Sequence, residues 1–332
     1  MTGHSSGPLF PMSGHSRLYL DYNAGALDPH GNPNGLHQES RQAHAAIEHA
    51  RVQVATAIGA DPHEIFFFPS ASLANYFLAQ DFHLLPSPFE HPSIIQSISK
   101  TDDKNPTLVS HMLANHETGE IYNIEHAQHS DLSQAFGKIP LNVRTLGLDF
   151  ATLSAQKIGA GKGAAALYVR GGKYKLPHAL GTPNTAAIVS FGEAAEATPE
   201  TIQQFQQHVK PLRDQLRTRI IAEIPDVIIN TPQESSLPNT LHVSFLGAEG
   251  ESIMLMLDHH GIATSTGSAC TTSDGKPSHV IMALHQDKSP AEAAEIAHSS
   301  IRFSFPPDAP ADTARRIMAA LPAVITKLRG IA

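Results

Sequence analysis

The chain has 332 residues, 41% of them hydrophobic, a formal net charge of −8 with histidine neutral, and a single cysteine. That length gives room for two domains, and the acidic balance without a long basic run argues against a direct nucleic-acid binder. One cysteine excludes an intramolecular disulfide and points to a reducing, cytoplasmic setting; no stretch approaches the roughly 18 uninterrupted apolar residues of a membrane helix, and the 21 histidines show no zinc-binding spacing.

Residues 1–17 are rich in Gly, Ser, Pro and His and read as a flexible tail that lacks the apolar core of a signal peptide. A short apolar piece, Leu18 to Leu20, leads into the loop DYNAGA. A Gly/Pro/Asn turn at 31–35 precedes a helix near Gln38 to Ile58, in which Ala43, Ile47, Ala50, Val54 and Ile58 recur at three- and four-residue spacing and Gly59 ends the run. Ile65 to Phe68 predicts a buried strand, followed at Pro69-Ser70-Ala71-Ser72 by another helical pattern. Thr107 to Leu113, Leu146 to Leu153 and Ala164 to Val169 predict strands, the last two around a Gly-rich turn. Positions 186–223 form a long helical stretch interrupted near Thr198-Pro199. Strands at Val227 to Ile229 and Leu241 to Phe245 follow, then a helix from Ser252 to His260 closed by Gly261, a strand at Ile301 to Ser304, and a helix from Ala311 to Leu328 with a bend or restart at Pro322. Short strands alternating with helices predict an α/β sheet with a smaller α/β unit at the C-terminal end.

Five strings carry candidate chemistry. In Ser154-Ala155-Gln156-Lys157-Ile158-Gly159, a lysine stands before a Gly-rich turn that lets backbone approach a ring or phosphate; burial would lower its pKa and free the amine for a Schiff base, while the same string also suits a solvated surface turn. Asp131 and Gln134 stand three apart, so one turn can present both, although an Asp there also suits a helix cap. Ser70-Ala71-Ser72, between strand and helix, offers backbone N–H groups and hydroxyls to a phosphate. Cys270 lies in the Gly/Ser/Thr/Asp stretch Thr266 to Gly275, where an exposed thiol can act as a nucleophile. Arg302, flanked by apolar strand residues, suits a carboxylate.

In their order along the chain these strings, with LYLDYNAGA (18–26), EHPSII (90–95), ANHETG (114–119), SDLSQAFGKIP (130–140), SAQKIGAGKGAAALYVR (154–170), GTPNTAAIVSFGEA (181–194) and the run from LPNTLHVSF through GSACT to AHSSIRFSF, resemble the cysteine desulfurases. These belong to the fold-type I, class V aminotransferase-like pyridoxal enzymes. The GSACT string is the most specific and points to the branch with a long cysteine loop. The resemblance implies an α/β fold-type I transferase, with a large mixed-sheet domain at 18–205 that binds pyridoxal 5'-phosphate and a smaller C-terminal α/β domain at 206–332 that carries the cysteine loop. It implies that Lys157 holds the cofactor and moves protons, that Asp131 pairs with the pyridine nitrogen and Gln134 with the ring oxygen, and that His91 stacks on the ring. Ser70, Ala71, Ser72, Ser154 and Gln156 are implied at the cofactor, and Thr182 at the phosphate of a neighbouring subunit in a homodimer. Asn23 and Arg302 are implied at the substrate carboxylate, and Asn115 at the substrate. Cys270 is implied to attack the sulfur of L-cysteine, leaving L-alanine and a persulfide for an acceptor such as an iron–sulfur scaffold or a tRNA-thiolation relay.

Several positions depart from the family pattern. The chain is shorter than typical members, Ser70 stands for a phosphate-loop Gly, and Leu73 for an acidic residue. His116 stands for the second Asn of Asn-Asn-Glu, a position that contacts cofactor and substrate. Gln156 stands for the His before the lysine, and Ala179-Leu180 fall where an Arg precedes Gly-Thr. His116 and Gln156 still offer hydrogen-bond donors. These departures keep two other readings open, a non-catalytic partner of a full-length desulfurase and a related enzyme such as a selenocysteine lyase.

Overall fold

The computed structural model describes residues 19–24, 31–98, 105–172, 181–267 and 276–330. The expected tail at 1–17 and Cys270 lie outside these residues. In chain order the first part contains α1 (Gln38–Ile58), β1 (Ile65–Phe68), α2 (Ala71–Asp81), β2 (His83–Pro86), α3 (Pro92–Ile98), β3 (Thr107–Ser110), β4 (His129–Asp131), β5 (Phe150–Ser154), β6 (Ala165–Val169) and α4 (Thr185–Glu196). The second contains α5 (Thr198–Gln204), a π-helical turn at Phe205–Val209, α6 (Lys210–Glu223), β7 (Val227–Ile229), β8 (Thr240–Phe245), α7 (Gly250–His259), α8 (His279–Leu284), α9 (Pro290–His298), β9 (Ser300–Ser304) and α10 (Thr313–Arg329).

The first six strands form one mixed sheet in the order β1-β6-β5-β4-β3-β2. β2, β3, β4 and β5 run parallel, and β6 is antiparallel to both of its neighbours, β1 and β5. All five residues of β5 and of β6 are buried, as expected of strands covered on both faces. Alternate residues of β6 serve the two sides. Ala166 and Tyr168 join the core built with α1 and α4, whereas Ala165, Leu167 and Val169 join the core built with α2. The apolar stripe of α1 (Ala43, Ile47, Ala50, Val54, Ile58) is buried as its spacing predicts, and Phe191 of α4 is fully enclosed, worth roughly 2–3 kcal/mol relative to exposure.

β7, β8 and β9 make a smaller antiparallel sheet in that order. Its core joins Leu241, Val243, Phe245, Ile301 and Phe303 to Leu216, Ile220, Leu257, Leu321 and Val324 from the helices. Phe205 and Val209 belong to this second core, while Phe191 and Ala195 belong to the first. Position 205 therefore lies inside a helical run serving the small sheet, and the change of core falls near Ala197.

Several boundaries differ from the sequence reading. β5 starts at Phe150 because Leu146–Leu148 is consumed by a turn in which Gly147 N–H donates to Arg144 O and Leu148 N–H to Val143 O. β2 and β4 carry the short strings HLLP and HSD, with no β-branched or aromatic run and no strand signature of their own; parallel pairing with neighbours supplies it. α10 runs through Pro322, its buried face (Met318, Leu321, Val324, Ile325) outweighing the one backbone bond that proline forgoes. No described helix is long and apolar enough to cross a membrane.

Candidate active site

The parallel strands end on one side of the large sheet, and residues just beyond those ends converge there. This is the customary ligand crevice of an open parallel sheet. β1 leads to Ser70, Ala71 and Ser72 at the start of α2; β4 ends on Asp131; and β5 leads through Ser154 to Gln156 and Lys157. The pairing of Asp131 with Thr152 in neighbouring parallel strands brings β4 and β5 into step at these ends. Together with His91, His116, Glu117, Ser133, Gln134, Gly267, His279 and Arg302, these residues line a cavity of about 450 Å³. Gly267, His279 and Arg302 come from the C-terminal part, so the cavity lies between the two sheets.

Ser70 N-caps α2, its Oγ accepting from Leu73 N–H (3.2 Å). The hydroxyls of Ser72 and Ser154 stand on the cavity wall beside this helix terminus, a setting that suits a phosphate. Asp131 is buried; Oδ1 accepts from Ser133 N–H (2.9 Å) and Oδ2 from Asn75 Nδ2 (3.3 Å). No helix begins here, so this bond closes a turn after β4 and is not the helix cap that the sequence also allowed; Asp131 still lines the cavity. Lys157 is exposed on the cavity wall, on the kind of solvated turn that its string also suits. The enclosed lysine is Lys138, four residues after Gln134, whose Nζ donates to Gln134 Oε1 (2.7 Å) and to Gln134 O (2.9 Å). Burial, then the nearby charges of Lys157 and Arg302, pull its pKa down to about 7.

His91 Nδ1 accepts from Ser93 N–H (3.1 Å) and bonds to Ser93 Oγ (2.8 Å), which leaves the proton of the neutral ring on Nε2. Burial lowers its pKa, with Asp131 opposing the shift. His116 meets His91 edge-on, ring centroids 5.5 Å apart. Its pKa lies well below the usual histidine value, first through burial and then through His91 and Arg302, so its 3.6 Å approach to Glu117 involves a neutral imidazole. Glu117 is raised to about 7 by burial, against the opposing Ser278 bond and Arg302, and its Oε2 accepts from Ser278 Oγ (2.6 Å). Arg302 Nη1 donates to His116 O (2.8 Å) and Gly267 O (3.3 Å), which ties β9 to both parts of the cavity rim.

Three expected residues do not line the cavity. Asn23 is exposed in a turn whose Asp21 bonds to His37 at the start of α1 (3.0 Å). Asn115 is buried and committed to its own loop, Oδ1 accepting from Glu117 N–H (2.8 Å) and Thr118 N–H (2.9 Å) while Nδ2 donates to Phe89 O (3.3 Å). Thr182 is exposed and lines a separate groove with Phe66, Phe67 and Asn184. Lys138, Glu117 and His279 were not singled out from the sequence. Lys138 left one signal, its four-residue spacing from Gln134, and Glu117 another, as the acid of the ANHETG string.

The lining suits pyridoxal 5'-phosphate. An accessible amine, a buried carboxylate, an amide and a hydroxyl-rich helix terminus surround one cavity. Among the described residues, the buried Ser133 Oγ and His116 Nδ1, both of cavity-lining residues, lack hydrogen-bond partners.

Residues 89–316 match the aminotransferase class-V family model. A cysteine desulfurase of Trichormus azollae is 32% identical over 95% of this chain and 94% of its own, and the cysteine desulfurase IscS of Dictyoglomus turgidum is 31% identical over 91% and 89%. The solved structure of a NifS-like protein from Rickettsia africae superposes with a TM-score of 0.77 at 28% identity, covering 89% of this chain and 92% of that one. The chain therefore belongs to the class-V aminotransferase family, in its cysteine desulfurase branch.

Proposed function

We propose that this chain takes sulfur from L-cysteine, releasing L-alanine, with pyridoxal 5'-phosphate held by Lys157 and the sulfur received on Cys270. The observation that carries the reading is the meeting of Lys157, Asp131, Gln134, His91, Ser72, Ser154 and Arg302 around one cavity, from segments far apart in sequence. Bound pyridoxal phosphate supplies an electron sink for negative charge developing at the substrate α-carbon. The Asp131 carboxylate would hold a proton on the pyridine nitrogen. Gln134, its Oε1 occupied by Lys138, would offer its amide NH₂ to the ring oxygen. His91 would cover the ring face. Ser70, Ser72, Ser154 and the N-terminal N–H groups of α2 would hold the phosphate. Arg302 would hold the substrate carboxylate, and Lys157 would take the α-proton. The Cys270 thiolate attacks the substrate sulfur; the S–C bond breaks, its electron pair stays with carbon, and the sulfur remains as a Cys270 persulfide for a sulfur-acceptor protein, an iron–sulfur scaffold or a thiolation relay. Thr182, exposed in its own groove, is assigned to the phosphate of a second copy in a homodimer.

The test is direct. Purified protein given pyridoxal phosphate should gain the visible absorption of a lysine-bound pyridoxal and should convert L-cysteine to alanine with transferable sulfur. Cys270→Ala should keep the absorption and lose sulfur transfer. Absence of cofactor uptake sinks the reading, and sulfur transfer that survives Cys270→Ala sinks the role of that thiol.

A further inference from the structure

Below the cavity, side chains that the proposed chemistry does not use join Asp131 to a second buried acid, Glu90. Glu90 Oε1 lies 3.1 Å from Ser110 Oγ, which lies 2.9 Å from His129 Nδ1. His129 Nε2 lies 3.1 Å from Thr152 Oγ1, and Thr152 Oγ1 lies 2.7 Å from Asn75 Oδ1. Asn75 Nδ2 closes the row on Asp131 Oδ2 at 3.3 Å. Glu90, Ser110, His129, Thr152 and Asn75 are all 0% exposed, so bulk water cannot stand in for a missing partner.

Counting protons fixes the direction of each bond. The ionised Asp131 of the proposed function can only accept, so Asn75 turns its NH₂ to it and its oxygen to Thr152. Thr152 spends its one hydroxyl proton on that oxygen and must receive from His129 Nε2–H. A neutral His129 then has a bare Nδ1, which takes the Ser110 proton. Ser110 has no proton left for Glu90, so the proton between them comes from the Glu90 carboxyl. The opposite solution needs a charged imidazole and a charged carboxylate in fully buried positions. Burial opposes both, holding Glu90 up at about 8, with Asp131 adding to the rise, and His129 down at about 4.

We propose that Glu90 is a positioning residue, a protonated acid that heads a one-way row of donors ending on Asp131 and so fixes the carboxylate opposite the pyridine nitrogen. The inference rests on the cofactor role given to Asp131 above. Aligned donors polarise one another, so the far end of the row is felt at Asp131. Asn75 is its hub: a second amide hydrogen reaches Ser93 Oγ (3.1 Å), and Ser93 in turn bonds His91. Asp131 is the titratable side chain whose charge acts on Glu90; His129 is linked to it through Ser110, the backbone N–H groups of Met112 and His91 donate to its carboxyl and oppose the rise, and His279 Nε2 donates to its backbone carbonyl (2.9 Å).

Two spectroscopic readouts on the pyridoxal-loaded protein test this. The infrared difference between wild type and Glu90→Gln at neutral pH should show the carbonyl stretch of one protonated carboxyl, lost in the variant. In pH titrations of the bound cofactor's visible absorption, Glu90→Gln should keep the wild-type midpoint, because its amide donates in place of the acid. Thr152→Val, which cuts the row, should move that midpoint by about half a pH unit or more, and Thr152→Ser should restore it. If Thr152→Val does not fold, Ser110→Ala interrupts the same row. A wild type without the protonated-carboxyl band overturns the proposal, as does a cut row that leaves the midpoint in place. Failure of wild type to take up pyridoxal phosphate defeats the cofactor reading and the row's purpose together, an outcome distinct from either.

Discussion

Replacing Gly267 with alanine tests how tightly the rim of the cavity is built. Gly267 has φ +55, and an added Cβ would stand 2.7 Å from Glu117 Oε2 and 2.9 Å from His242 Nε2. Both neighbours are buried, and Glu117 is held by Ser278, so neither swings freely into water. The left-handed backbone costs an alanine about 1–2 kcal/mol, and forcing a methyl into a filled site adds about 1–3 kcal/mol. Gly261 supplies the control: its φ is +73 and nothing lies within 4 Å of its would-be Cβ, so Gly261→Ala carries the backbone cost alone. With an unfolding entropy of about 2.1 cal/mol/K per residue, or about 0.7 kcal/mol/K for the chain, the expected Tm losses are about 3–7 °C for Gly267→Ala and about 1–3 °C for Gly261→Ala. Scanning calorimetry of the two variants beside wild type reads both. Because Gly267 O accepts from Arg302, Gly267→Ala should also raise KM for L-cysteine. A Gly267→Ala protein no less stable than Gly261→Ala would refute the reasoning, since it would mean that Glu117 and His242 yield without cost.

Three other outcomes follow from the same geometry. Arg302→Lys keeps the charge but loses the planar fork, so KM for L-cysteine should rise about 10- to 100-fold with a smaller change in kcat; steady-state alanine release checks it, and an unchanged KM removes the carboxylate role. Lys138 has a folded-state pKa near 7, below its unfolded value, so the unfolded chain binds more protons above that pH and wild-type stability gains as pH rises from about 7 toward 10. Relative to Lys138→Met, wild type should therefore gain up to about 1.4 kcal/mol per pH unit in urea unfolding across that window, and a pH-independent difference would refute the assignment. Arg213 is buried, pairs with Asp214 (2.6 Å) and donates to Ser236 Oγ (2.9 Å) and to the carbonyls of Leu237 and Thr240 (both 3.3 Å); Arg213→Ala should cost about 3–5 kcal/mol, which denaturant titration measures against wild type.

Local pattern made much of this molecule legible. The stripe of α1, the strands β1, β6 and β7, the helix break near Thr198-Pro199 and the Gly261 end of α7 follow from periodicity and turn chemistry, which act over a few residues. β2 and β4 were illegible for the opposite reason. Strings such as HSD have no preference for extended backbone until parallel neighbours, distant in sequence, offer them a ladder.

The site divides in the same way. Sequence alone determined which chemical groups this protein owns: the lysine before its Gly-rich turn, the Asp131–Gln134 pair, the serines at the head of α2 and the arginine of β9. Tertiary structure decided which of them meet. It left Lys157 exposed on the cavity wall and enclosed Lys138 instead, it kept Asn23 and Asn115 off that wall, and it buried Glu90 and His129 beneath Asp131. Burial and proton direction depend on what packs around a group from every side, and no string of neighbours in the chain carries that information.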